Sequence, residues 1–384
     1  MNVNQRFKPT ANTQRPLGSP NVREASFEDH AQIMALLAEY GLPTKAYEEW
    51  KHLWINNPAY TRSQGSLPMG WVLECPGKQI VGYLGNIPLF YELRGQRLLA
   101  SVAHAWVVDT RYRGYSLLLL DRYFSQKTIE LFLNPTVGPA ASESFAVFHS
   151  LPVPVGAWDH SALWITNHQG FLASWLAMKA VPLARPLSYL LSVGPFVKEA
   201  LSKRKQCHDS AGMKLQVCTD IDGRFDVFWD ALRKANPQVL LGVRTREVLE
   251  WHFKYALASN KAWVVTAGKG PLITGYGIFF RHDNPKFGLK RMRLVDFQAL
   301  DGDTTLLAPM LSWALKQCQD DGIDMLESIG FCDDKRGVIR NIAPFERTLP
   351  SWLYFYKTRD KSLAERLNDS NAWDPCQFDG DASL

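Results

Sequence analysis

The alternation of apolar and polar positions divides the chain into a legible series of elements. Ile33, Leu36, Leu37 and Tyr40 recur at the spacing of one helix face. Ser26, with Asp29 three residues on, forms a capping-box pattern ahead of them. A second short helix is predicted through Tyr47–Trp54. Trp71–Glu74 and Gln79–Leu89 read as strands joined by the turn Pro76-Gly77-Lys78, and Leu98–Val108 continues the antiparallel meander. Leu117, Leu120, Phe124 and Leu131 share one face of a helix starting near Ser116, and Ser144–Phe148 reads as the next strand. Further on, helices are predicted near Phe225–Ala235 and Thr245–Ala256. Strands follow at Ala262–Thr266, Leu272–Phe280 and Lys290–Ala299, then a helix over Thr304–Gln319 and strands at Met325–Ser328 and Leu353–Lys357. Helices, a meander and then strand–helix–strand specify an α+β fold built on a mixed α/β sheet.

The same order occurs twice. Trp71-Val72, Gly77-Lys78 and Gly82-Tyr83 are echoed by Trp263-Val264, Gly268-Lys269 and Gly275-Tyr276. Glu49-Trp50 and Glu250-Trp251 stand upstream, and Val108-Asp109 and Val295-Asp296 each end a long strand downstream. We read two copies of one fold: a disordered arm over 1–20, a first domain over 21–197, a linker over 198–212 and a second domain over 213–384. The alternative is two ordinary α/β domains that share these landmarks by coincidence.

Composition narrows the function. At 46% hydrophobic and 21% charged residues the 384-residue chain is globular, and each half is long enough for its own core. The 43 basic against 38 acidic residues leave a net charge of +5, which suits an anionic small ligand but is too little for a nucleic-acid partner. Six scattered cysteines without metal-ligand spacing point to a reducing, cytoplasmic location and to no metal. No G-x-S-x-G, H-E-x-x-H or P-loop occurs, and His149 and Ser150, being neighbours, are badly placed as a dyad. The polar N-terminus has no apolar core of a secretory signal. Trp175–Val197 is apolar but broken by Lys179, Arg185 and three prolines, so it reads as a connector. With Lys198, Lys203, Arg204 and Lys205 following, its second reading is a membrane-surface element.

The informative segment is Ala105-Trp106-Val107-Val108-Asp109-Thr110-Arg111-Tyr112-Arg113-Gly114-Tyr115-Ser116-Leu117-Leu118-Leu119-Leu120. An apolar strand leads through a turn with two arginines and a glycine into a helix N-terminus, whose N–H groups form a ready anion site. This segment resembles the GNAT acyltransferases, in which a strand ending in Val-x-Pro runs into an Arg-Gly-x-Gly-x-Gly/Ala turn that holds the pyrophosphate of acyl-coenzyme A. Arg113 and Gly114 match; Ser116 and Leu118 replace the later small residues. Trp50, Asn57-Pro58, Gly82-Tyr83, Pro88 and Gly95 further resemble the GNAT-type proteins of bacterial polysaccharide and cell-envelope clusters, often two GNAT-like domains in tandem.

The resemblance implies an N-acyltransferase that uses acyl-coenzyme A in the first copy, with an amine or amino-sugar acceptor. Trp106, Val107, Val108, Arg111, Arg113, Gly114, Tyr115 and Ser116 would hold the coenzyme. Backbone N–H groups near Trp106–Val108 would polarise the acyl carbonyl. The candidate bases are His104, two residues before Trp106 and so expected on its face, and His149, expected to end the next strand. Tyr115 and Tyr123 are candidate acids for the departing thiolate. In the second copy Asp301 and Asp303 precede the corresponding helix and would repel a pyrophosphate, so that copy is read as structural or as a wall of the acceptor cleft. The acidic terminus reads as a solvated tail, or as Asp379 and Asp381 facing an amine. The competing reading is a non-catalytic tandem scaffold within a biosynthetic complex.

Overall fold

The structure is a computed structural model; it describes residues 18–180, 215–269, 272–349 and 352–384. Most of the expected arm, the linker at 198–212 and the basic part of the membrane-surface element lie outside the described residues. In the first half the strands are β1 (Asn21–Glu24), β2 (Gly70–Glu74), β3 (Ile80–Leu93), β4 (Gln96–Val108), β5 (Leu131–Val137), β6 (Leu151–Pro152) and β7 (His160–Ile165). In the second they are β8 (Leu215–Cys218), β9 (Leu241–Gly242), β10 (Ala262–Lys269), β11 (Leu272–Arg281), β12 (Arg291–Ala299), β13 (Met325–Ile329), β14 (Phe345–Thr348) and β15 (Leu353–Thr358).

Two sheets result, with the same internal plan. One runs β1-β2-β3-β4-β5-β15-β6, with β9 on the end of β3; the other runs β8-β10-β11-β12-β13-β7-β14. Each has an antiparallel meander, then a parallel pair (β4 with β5, β12 with β13), then an antiparallel strand and a short edge. The strand beyond the parallel pair is exchanged: β15 from the second half closes the first sheet, and β7 from the first half closes the second. A cut at 198–212 therefore leaves each sheet without a strand that the other half supplies. Trp71 and Trp263 occupy the equivalent strands β2 and β10. Asp109 and Asp296 do not correspond, because β12 runs on to Ala299 and places Asp296 in its interior.

Local sequence explains the helices. The Ser26–Asp29 capping box forms and leads into the helix His30–Glu39, which buries Ile33, Leu36 and Leu37. Asp222, Thr245 and Asp303 each accept a backbone N–H at a helix start. One expectation fails: Ser144–Phe148 is no strand. Pro139 sits in the first turn of a helix over Pro139–Val147, and the strand is the preceding Leu131–Val137. The largest core cluster spans both halves, from Trp50, Trp54 and Tyr83 to Trp251, Tyr276 and Trp373; a second lies under the helix Ser116–Phe124. The halves also meet through helices Tyr47–Ile55 and Arg246–Ala258, where His52 Nε2 lies 2.9 Å from the Trp251 carbonyl and Trp251 Nε1 donates back to the His52 carbonyl at 3.1 Å.

Candidate active site where the first sheet parts

Strands β4 and β5 pair only at Ala100–Val102, against Leu131–Leu133. Beyond that point both continue, but apart. The Asn134 side chain stands at the fork, its Oδ1 accepting from Ala103 N at 3.3 Å. Across β4 the ladder to β3 carries a bulge between Tyr83–Val107 and Gly85–His104, and Ala105 within it has φ 54°. Asp109 N donates to Val81 O at 2.8 Å. By alternation Val107 N also turns to β3, which leaves the N–H groups of Trp106 and Val108 facing the gap.

The bulge separates two residues expected on one face. Trp106 packs with the cluster under the helix Ser116–Phe124, its ring edge-on to Phe145 at 6.0 Å, with Nε1 buried and without a partner. His104 lies on the other face: a Cβ built on Gly85 would meet Tyr83 Oη at 2.7 Å and His104 Cβ at 3.3 Å, and Tyr83 belongs to the opposite cluster. The extra residue at 105 is the reason, since it breaks the two-residue period.

On the His104 face the carboxyl-terminal segment bridges the fork. Asp381 accepts from Thr136 Oγ1 on β5 at 3.0 Å, and its other oxygen lies 3.5 Å from His104 Nδ1 on β4. That segment is anchored along its length: Phe378 N to Val295 O at 3.0 Å, Tyr91 Oη to Asp379 O at 2.9 Å, and His252 Nε2 to Ser383 Oγ at 2.8 Å. The acidic terminus is thus tied into the protein instead of forming a solvated tail, and Asp381 joins the site. The signal in the sequence was Phe378 among the acids, an apolar anchor that a free tail does not need.

The turn after β4 is wound more tightly than an open anion loop. Thr110–Tyr115 is a 3-10 helix running into the helix Ser116–Phe124, with Tyr112 N bonded to Asp109 O and Ser116 N to Arg113 O. Arg111 is folded back on Asp109, with Nη2–Oδ2 at 2.6 Å; Asp109 is held below the usual carboxylate range by this pair and by Arg111 N, against the opposing effect of burial. Arg113 and Gly114 are exposed, and a Cβ on Gly114 would meet nothing within 4 Å. Tyr115 Oη lies 3.2 Å from Ser19 Oγ, and Ser116 is half-buried at the helix start. Tyr123 is fully buried, donating to Ser101 O at 2.9 Å, and burial pushes its pKa up. His149 is exposed just beyond the helix Pro139–Val147, and no contact joins it to the fork among the described residues.

The second sheet parts at the equivalent place and is closed there only in part, since a cavity of about 410 Å³ lined by Phe297, Gln298, Ala299, Thr304 and Lys335 lies beyond. β12 pairs with β13 only through Arg291–Leu294, and Val295 O then takes Phe378 N. Lys335 Nζ caps Phe297 O at 3.0 Å and pairs with Asp374. Behind this plug Arg244 is buried between Asp296 (3.0 Å) and Asp379 (3.2 Å).

The same plan is found in solved structures. The N-myristoyltransferase of Saccharomyces cerevisiae with bound myristoyl-CoA aligns over 92% of this chain and 81% of its own, at 12% identity and a TM-score of 0.56. The fold is that of the GCN5-related N-acyltransferases. A GCN5-related N-acetyltransferase from Anabaena variabilis aligns over 89% of this chain and 73% of its own, at 13% identity and TM-score 0.50. A conserved protein of unknown function from Enterococcus faecalis, described as a probable N-acyltransferase, covers the same shares at 11% identity and TM-score 0.53. At these identities the likeness concerns the GNAT fold. No protein-family model and no curated protein matches the sequence. Among the described residues no helix is long and apolar enough to cross a membrane, and no group of three or more His, Cys, Asp or Glu could hold a metal ion.

Proposed function

We propose that the chain is an acyl-coenzyme A-dependent N-acyltransferase acting from the first sheet on a small amine, an amino sugar or another envelope-polysaccharide precursor, in the cytoplasm. The observation that carries the reading is the fork between β4 and β5, with the donors of Trp106 and Val108 turned into it. Unoccupied donors at a fork suit a ligand threaded between the strands, and the space at Gly114 lets a phosphate approach the backbone. The unpaired state of all five described cysteines agrees with a reducing compartment. A bound thioester supplies a carbonyl open to attack by an amine. One of the two donors, Trp106 N–H or Val108 N–H, polarises that carbonyl, and the other, about 6.7 Å away along the strand, holds another part of the coenzyme. His104 takes the ammonium proton, Asp381, beside its Nδ1, stabilises the imidazolium that forms, and the carbon–sulfur bond breaks to release coenzyme A as a thiolate that takes a proton from solvent. Arg113 faces the phosphates; Arg111 serves the turn through Asp109.

The occupation of Arg111 and the tight 3-10 turn favour the second reading, a non-catalytic scaffold. Calorimetric titration with acetyl-coenzyme A and longer acyl homologues separates the two. On the enzyme reading Arg113→Ala loses one charge-assisted contact, and affinity falls about 10- to 100-fold. Asp303→Ala costs about 1 kcal/mol of stability as a lost cap and leaves affinity unchanged. His104→Gln keeps the affinity and lowers kcat by about 100- to 10,000-fold. A wild type that binds no acyl-coenzyme A, or one indifferent to Arg113, selects the scaffold.

A further inference from the structure

At the start of β12, beside the stretch that pairs with β13, three arginines converge on one buried carboxylate. Glu327 on β13 is fully enclosed, and its Oε2 takes Arg293 Nε at 3.0 Å and Arg291 Nη1 at 3.3 Å. Its Oε1 takes Ser161 Oγ at 2.8 Å and Arg347 Nη2. Both oxygens are therefore spent, and one negative charge stands against three guanidiniums. The next carboxylate, Asp283, accepts Arg291 N at 2.9 Å and is itself paired with Arg281 at 2.7 Å. His282 adds no charge, since burial, followed by Arg293 and Arg291, lowers its pKa to about 3. Among the described groups the cluster keeps an excess of two positive charges.

That excess is costly where it stands. The Arg293 side chain is 7% exposed and that of Arg291 13%. Burial, then the repulsion of Arg293, lowers Arg291 to about 10 despite Glu327. A structural staple across β12, β13, β7 and β14 needs one arginine for one glutamate; additional buried guanidiniums repel each other and resist desolvation. Arg347, 42% exposed on the edge strand β14, opens the cluster to solvent. Trp352 forms one wall, its ring centre 5.5 Å from the Arg293 guanidinium carbon.

We propose that Arg291, Arg293 and Arg347, gathered around Glu327, bind a doubly charged oxyanion, the phosphate group of a small molecule or free phosphate. Forked guanidinium donors match phosphate oxygens in pairs, and a dianion neutralises the excess that Glu327 leaves. The site lies on the second sheet and does not depend on acyl transfer.

The test is calorimetric titration of the full chain with inorganic phosphate and, separately, with glucose 6-phosphate, against sodium chloride at matched ionic strength. Wild type should show saturable binding of at least one phosphate and a raised unfolding midpoint. Arg347→Gln, which leaves Glu327 paired with Arg291 and Arg293, should weaken binding about 10- to 100-fold with the ligand-free unfolding midpoint little changed. Arg340→Gln, which removes an exposed arginine paired with Glu346 nearby, should leave it unchanged. Tighter binding of glucose 6-phosphate identifies a phosphorylated small molecule as the occupant, and equal or tighter binding of inorganic phosphate identifies the free ion. No saturable binding of either in wild type, or equal weakening in both variants, overturns the proposal.

Discussion

His252 is enclosed between Phe253 and Phe378, with ring centroids at 4.6 and 4.7 Å, and touches Ser383. Burial lowers its pKa from 6.5 to about 3, opposed by the Ser383 contact and reinforced by Arg244 and Lys45. The unfolded chain therefore takes up a proton that the folded chain refuses. The resulting stability is complete above the unfolded value of 6.5 and is lost as pH falls from there towards 3, with a slope approaching ~1.4 kcal/mol per pH unit. Urea unfolding between about pH 4 and 7 should show His252→Gln flattening this slope by roughly one proton, His282 keeping its own share. An unchanged slope would mean that His252 is protonated in the folded protein. At this scale the sequence was informative where a residue acts on its neighbours. Ser26 and Asp303 cap as their spacing requires, and Arg113 and Gly114 stand exposed at the turn. It was silent where partners are distant: nothing local ties Asp381 to His104 or folds Arg347 onto Glu327.

Among the elements, β4 depends most on a single irregularity. Ala105 holds φ at 54°, a region that costs a residue with a Cβ about 1–2 kcal/mol. Ala105→Gly should relieve that strain and raise stability by up to about 1 kcal/mol while keeping the bulge. Ala105→Val, β-branched, should lower stability by at least as much and, by flattening the bulge, weaken acyl-coenzyme A binding. Chemical denaturation with the same calorimetric titration reads both; a stable Val variant of full affinity would show that the bulge does not aim the donors. This irregularity was not legible, because His104, Ala105 and Trp106 look like a plain alternating strand and a bulge depends on what β3 places opposite. The periodic helices and the meander were readable from their own spacing. β5 was missed because Leu131 continues the helical stripe of Leu117, Leu120 and Phe124, although the helix stops at Phe124. The helix after it was misread because Phe145 and Phe148 suggest a strand, while Pro139 two turns earlier marks a helix start.

In the whole molecule the exchange of β7 and β15 makes each half a condition of the other. Local pattern could show that Leu353–Lys357 is a strand, but not that it pairs with Leu131–Val137 more than 200 residues earlier. With a core cluster running through both halves, scanning calorimetry should give one cooperative transition. Residues 18–180 and 215–384 expressed apart should each lack a cooperative transition, and expressed together should recover it. A half that unfolds cooperatively alone would show that its missing strand is dispensable.

The exchange also sets an order of events during synthesis. The open edge of β5 leaves the ribosome long before the strand that covers it, which begins only at Leu353. Until more than 200 further residues have been made, the first sheet carries a bare row of N–H and C=O groups beside apolar Leu131, Phe132 and Leu133. Such an edge recruits strands from other nascent chains. Yield in a heterologous host should therefore depend on elongation rate and on chaperones that shield nascent chains more than on the stability of the finished protein.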